Sequence, residues 1–197
     1  MEEQEKSIVI PLDKPLADAG GKLVWESIPL HEPALIEVNQ FFEKQKTEGA
    51  LAAMGLLISL LSGIPPQVVK RIPFTIFKQC EVFLLTFLNY SPVAESQPES
   101  STVIALPKVL KDSKGEQSWA GIDLSEPYLE QVDQFYKTQT VKGGLAAMSA
   151  LIAEISGIPS QVINRLPFTD YKRCEGYMLG FLNFSPTAGG GVNASPM

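Results

Sequence analysis

Cys80, Cys174 and His31 are the side chains of this chain that could do nucleophilic chemistry, a thiol activated by an imidazole brought from another element. The two cysteines stand 94 residues apart, and that spacing is the period of the whole chain. Residues 9–92 align with residues 103–186 at this constant offset without a gap, and 43 of the 84 aligned pairs are identical. A reactive constellation should therefore occur in both copies or be plainly lost in one. His31, the only histidine, aligns with Ser125, so a Cys–His pair could exist once at most, at Cys80. The competing reading takes both cysteines as small apolar fillers on a helix, because free cysteine is among the most buried residue types. That reading is adopted here.

Glu81 and Glu175 follow the cysteines, and adjacent helix positions point about 100° apart, so each carboxylate is expected to leave the core as its cysteine enters it. There it can pair with Lys78 or Lys172, three residues earlier. No His, Cys, Asp and Glu set has metal-ligand spacing. Glu48-Gly49-Ala50-Leu51 and Lys142-Gly143-Gly144-Leu145 lack the Gly-Lys-Ser/Thr ending of a phosphate loop. The sequence thus names no catalytic, cofactor-binding or metal residue, and the expectation is a protein that is not an enzyme and takes no cofactor.

A period of 94 is far above the 20–50 residues of solenoid units, so each copy is long enough to own a core. The expected organisation is a first repeat over 1–94, a linker over 95–101, a second repeat over 102–186 and a mobile tail over 187–197. The linker carries no large apolar residue, and the tail contains Gly189-Gly190-Gly191. Hydrophobic residues make up 45%, charged residues 19%, and the net charge is −6. Each half holds eight Lys/Arg against eleven Asp/Glu, so neither shows the basic stripe of a nucleic-acid binder. The acidic start Met1-Glu2-Glu3-Gln4-Glu5 is unlike a signal peptide, which gives an expectation of the cytoplasm. The uncharged run from Gly49 to Val69 is nominally long enough for a bilayer, but Gly63-Ile64-Pro65-Pro66 interrupts it and the second copy places Glu154 at the position of Leu60.

These residues must be positioned by a hairpin and helices. Ser7-Ile8-Val9-Ile10-Pro11-Leu12 and Thr102-Val103-Ile104-Ala105-Leu106 are β-prone, and turn residues follow at Asp18-Ala19-Gly20-Gly21 and Asp112-Ser113-Lys114-Gly115. A second strand then carries Trp25 or Trp119, the expected anchors of the hairpin on the helices. After Glu32-Pro33 and Glu126-Pro127 the period becomes helical through Leu35, Val38, Phe41, Phe42 and through Leu129, Val132, Phe135, Tyr136. Proline is expected in the first helical turn, with the preceding glutamate at the positive end of the helix dipole. Helices should stop near Gly49 and Gly143, and again at Gly63 and Gly157. One or two helical turns fit before Pro73, and Thr75 and Thr169 are expected to cap the last helix. The fold class is α+β, mostly helical, with an N-terminal β-hairpin packed on three to four helices in each repeat. Small residues such as Gly49, Ala52, Ala53 and Gly55 in the second helix are read as tight core packing.

The copies differ in polarity at four places: Leu60 against Glu154, Ile76 against Asp170, Val82 against Gly176 and Ala34 against Tyr128. A position that accepts a carboxylate in one copy is expected on the surface, because an unpaired buried carboxylate is costly. Leu60 and Ile76 should then be exposed apolar residues. Together with Val82 they are the candidates for contact with a partner or with the other repeat.

The strand pair Val9-Ile10-x-Leu12-x-Lys14-Pro15-Leu16, continued by Ile28-Pro29-Leu30-His31-Glu32-Pro33, together with Ile58-Ser59-Leu60-Leu61-Ser62-Gly63-Ile64-Pro65-Pro66-Gln67-Val68, resembles the small tail assembly chaperones of P2-like and Mu-like tailed phages. Ile122-Asp123-Leu124-Ser125-Glu126-Pro127, Ile155-Ser156-Gly157-Ile158-Pro159-Ser160-Gln161-Val162 and Leu166-Pro167-Phe168-Thr169-Asp170-Tyr171 carry the same resemblance in the second copy. The resemblance implies a non-enzymatic protein that binds the tape measure protein, with tail tube subunits as a further partner, during assembly. It also implies two lengths of product through frameshifting near the C-terminus. Two tandem copies depart from the family's usual single one and leave self-association through the repeats open. A structural subunit of a phage-like particle and a small thiol-dependent enzyme or regulator are the alternatives.

Overall fold

A computed structural model describes residues 6–92 and 98–183. The same order of elements occurs twice. The first repeat has β1 (Ser7–Ala17), β2 (Val24–His31), α1 (Leu35–Glu48), α2 (Ala50–Ser62), α3 (Pro66–Val69) and α4 (Phe74–Leu88). The second has β3 (Ser101–Lys111), β4 (Ser118–Ser125), α5 (Leu129–Lys142), α6 (Gly144–Ser156), α7 (Ser160–Ile163) and α8 (Phe168–Leu182). This is an α+β fold dominated by helix, as expected.

Each hairpin is a two-stranded antiparallel sheet, and in each the register shifts once, between Pro11 and Leu16 and between Ala105 and Leu110. The shift takes up the prolines of the first strand, which cannot donate to a ladder. Alternation then sends Ile28 and Leu30, or Ile122 and Leu124, inward onto the helices. Trp25 and Trp119 are partly buried against their repeat's core, and Arg71 donates from the end of α3 to the Ala17 carbonyl at 3.0 Å, tying the hairpin to the helices. Arg165 does the same to the Lys111 carbonyl in the second repeat.

Gly49 and Gly143, at φ 87° and 84°, join the first two helices of each repeat without a loop, and Gly63 and Gly157 close the second in the left-handed region at φ 69° and 67°. Two helix starts in each repeat differ from expectation. Pro33 precedes the cap residue Ala34 instead of entering α1, and the Ala34 N–H donates to Glu37 Oε2 at 2.7 Å. The final helices begin at Phe74 and Phe168 with Pro73 and Pro167 as cap residues, so Thr75 and Thr169 lie one step inside and make no cap. The tail over 187–197 falls outside the described residues, as do residues 95–97 of the expected linker. The linker's remainder is engaged: the Glu99 carbonyl accepts from Tyr177 at 2.8 Å, the Ser100 carbonyl accepts from the Glu126 N–H, and Ser101 already belongs to β3.

The first repeat's core gathers Ile10, Ile28, Leu57, Ile58, Cys80 and Leu84. The second's gathers Ile122, Leu124, Ile152, Ile163, Tyr171 and Cys174, and it also contains Leu35 and Val38 of α1. Part of the first repeat is therefore core of the second. Among the described residues no helix is long and apolar enough to cross a membrane.

Candidate functional site

The cysteines do not form a site. Both are fully buried free thiols, and burial pushes Cys80 up to about 11 and Cys174 up to about 12. At neutral pH neither is a thiolate, the form that attacks and ligates. His31 lies exposed at the end of β2. Lys78–Glu81 and Lys172–Glu175 are ion pairs on α4 and α8, as the spacing suggested.

The built feature is the junction between the repeats, where α1 of the first meets the α7–α8 corner of the second. An α-helix leaves its first N–H groups without partners, and a chain must supply acceptors for them when they are buried. The N–H groups of Leu35 and Ile36, at the start of α1, donate to the carbonyls of Leu166 and Asn164, each at 2.9 Å. Reciprocally, Phe168 at the start of α8 donates to the Pro33 carbonyl at 2.9 Å, and Ala34 and Pro167 form an antiparallel bridge. Glu32 Oε1 accepts from the Thr169 N–H at 2.9 Å and from the Thr169 hydroxyl, while Oε2 pairs with Lys6 at 3.0 Å. Glu32 thus serves the dipole of α8 in the other repeat, where the sequence had assigned it to α1. Each such bond contributes about 1 kcal/mol net, and burial of Leu35 about 1.5–3 kcal/mol.

Asp170 belongs to the same corner. It is buried, its Oδ1 accepts from Arg173 at 3.1 Å, and its Oδ2 has no partner among the described residues. Burial pushes its carboxyl above the usual range, and Glu32 adds to that, while Arg173 and Lys6 oppose it. This corrects the expectation that Asp170 marks an exposed position. Ile76, its counterpart, is likewise only 8% exposed and sits in the first repeat's own core. The inference failed because cations at the junction partly compensate the carboxylate. Gly176 was informative differently: a Cβ there would meet Pro92 Cγ at 2.9 Å, so glycine lets the end of the first repeat approach α8. Its counterpart Val82 is 64% exposed, and Leu60 is exposed too.

The junction occurs once, so each repeat keeps one half of it open. Leu35 is fully buried, whereas its counterpart Leu129 is 85% exposed; Phe168 is 3% exposed, whereas Phe74 is 66% exposed. Beside Phe74 an apolar groove of about 510 Å³ opens between α1, α2, α3 and α4, lined among others by Leu51, Ile72, Phe74 and Phe77 with Lys44 and Lys70 at its edge. Sequence reasoning missed these halves because six residues of the junction, Glu32, Pro33, Leu35, Val38, Phe168 and Thr169, are the same in both copies, and others such as Leu166 and Asn164 take part through their backbone. The available signal was the grouping of differences, Ala34/Tyr128 and Ile76/Asp170, near the starts of α1/α5 and α4/α8.

The open halves thus leave exposed apolar surface at the starts of α5 and α4. Residues 111–183 match the family model of phage tail assembly chaperone proteins, E, or 41 or 14. The matched stretch runs from the last residue of β3 through the whole of α8. It agrees with the resemblance read from the second copy and supports a tail assembly chaperone role. No curated protein and no solved structure matches the chain.

Proposed function

We propose that this chain is a non-enzymatic phage tail assembly chaperone that binds the tape measure protein, with tail tube subunits as a further partner, in the host cytoplasm during tail morphogenesis. The observation that carries this reading is the family match over residues 111–183. The first repeat is read as a second chaperone domain on the identity of 43 of its 84 aligned residues with the second. A chaperone for a long helical partner needs apolar helix surface, and Val82 on α4 and Leu60 on α2 offer it. The thiol-dependent alternative is opposed by the burial of both cysteines.

The test is co-expression of the tagged chain with the tape measure protein of the same tail gene cluster. The expected result is co-purification, reduced by Leu60→Glu combined with Val82→Glu in a variant of unchanged circular dichroism. Failure to recover the tape measure protein refutes the proposal. Recovery of the chain as a component of purified finished particles would transfer the reading to a structural subunit.

A further inference from the structure

We infer that the two open halves of the junction take each other, so that a second copy of this chain docks its α5 start onto the α3–α4 corner of the first. The inference rests on the internal junction and not on the chaperone reading. A contact between unlike surfaces of equivalent units is heterologous, and each chain retains one donor face and one acceptor face, which is the arrangement that grows head to tail.

The polar framework of the junction is preserved at the open ends. Where Leu35 and Ile36 donate to Leu166 and Asn164, the incoming Leu129 and Glu130 meet the carbonyls of Ile72 and Lys70; where Phe168 and Thr169 meet Pro33 and Glu32, Phe74 and Thr75 meet Pro127 and Glu126. The backbone partners need no particular side chain, and the glutamate, the prolines and the threonine are identical in both copies. The apolar contact is conserved too, since Leu129 and Val132 stand for Leu35 and Val38 against Phe74 and Phe77, which stand for Phe168 and Tyr171. Tyr128 is larger than Ala34, but Ile72 and Phe74, on either side of its bridge partner Pro73, line the groove.

Two of the differences between the junctions fall on both sides at once. Inside the chain Lys6 pairs with Glu32 and lies within electrostatic reach of Asp170; between chains the positions of Lys6 and Asp170 become Ser100 and Ile76, so this cation and this carboxylate are lost together while Glu126 keeps the place of Glu32. Inside the chain the side chains at the Ile36–Asn164 bond are neutral; between chains they become Glu130 and Lys70, of opposite sign. Both are exposed, and among the described residues neither is in an ion pair. Matched changes of this kind favour the second repeat of one chain on the first repeat of another over other pairings.

Sedimentation velocity of the full chain over a range of concentrations tests this. The expected result is a weight-average mass that rises with concentration beyond twice the 21.5 kDa of one chain. Leu129→Glu and Phe74→Glu, both at exposed sites, should each leave a folded monomer. An equimolar mixture of the two variants should form a dimer and stop there, because it retains one intact donor and one intact acceptor. Lys70→Glu alone should weaken association at least tenfold, and Glu130→Lys in the same chain should restore it. A wild type that stays monomeric at the highest concentration overturns the inference, and so does a mixture that fails to dimerise. A monomer that binds a tape measure segment through Phe74 would give the groove to that partner and overturn it equally.

Discussion

Leu35 and Leu129 are the same residue type at equivalent positions of two homologous helices, yet Leu35 is fully buried and Leu129 is 85% exposed. Truncation of each to alanine therefore separates what the junction contributes from what the helix contributes. Leu35→Ala removes three buried carbons from the core of the second repeat and leaves a hole among residues that Leu166 and Phe168 hold in place, which costs about 2–5 kcal/mol. For a chain of this size that lowers the melting temperature by roughly 5–15 °C. Leu129→Ala changes a solvated side chain and should stay within about 0.5 kcal/mol. Helix propensity contributes equally to both substitutions and cancels in the comparison. Thermal unfolding by circular dichroism, repeated at two protein concentrations to separate any contact between chains, reads the difference directly. Hydrogen exchange would place the loss of Leu35→Ala in the second repeat, at α7 and α8, although the substitution is in the first. Equal losses for the two variants, or a loss confined to the first repeat, would refute the junction.

Two further outcomes follow from the titrating groups. Cys80 and Cys174, pushed up to about 11 and about 12 by burial, should resist a thiol-specific reagent in the native protein at neutral pH and react fully in denaturant; rapid labelling of the native chain would contradict their placement. Asp170, facing Lys6, Arg173 and Glu32, has a folded-state value raised above its unfolded one, so the folded state holds the proton more tightly and stability falls as pH climbs from the ordinary value of 3.8 through the raised one. Asp170→Asn should raise the melting temperature at pH 7 and flatten its dependence on acidification across that window; a variant less stable than wild type at pH 7 would show that the carboxylate stabilises the junction instead.

Much of the fold was legible in the residues because local chemistry decides it. Gly49, Gly63, Gly143 and Gly157 stand where the backbone takes positive φ, a conformation other residues resist, so the ends of α1, α2, α5 and α6 could be read from composition. The starts of the last helices were misplaced because Thr75 and Thr169 have the chemistry of caps. At Thr169 the bonds that a cap would make are supplied by Glu32, 137 residues away. Asp170 was misread for the same reason: what makes its burial tolerable, Arg173 and Lys6, comes in part from the other repeat.

The sequence by itself determined that the chain is doubled, that each half is a hairpin on helices and that its thiols are fillers, because periodicity, glycine geometry and side-chain polarity act within a few residues. Only the tertiary structure decided that the halves join head to tail, with the start of α1 seated in the second repeat and the equivalent faces at α5 and α4 left open. Glu32, Pro33, Leu35, Val38, Phe168 and Thr169 of the junction recur in both copies, and identical residues hold no information about which copy is covered. The residues that differ, Lys6/Ser100, Ile36/Glu130, Asn164/Lys70 and Asp170/Ile76, lie on both sides of the contact, and their meeting is visible only in the folded chain.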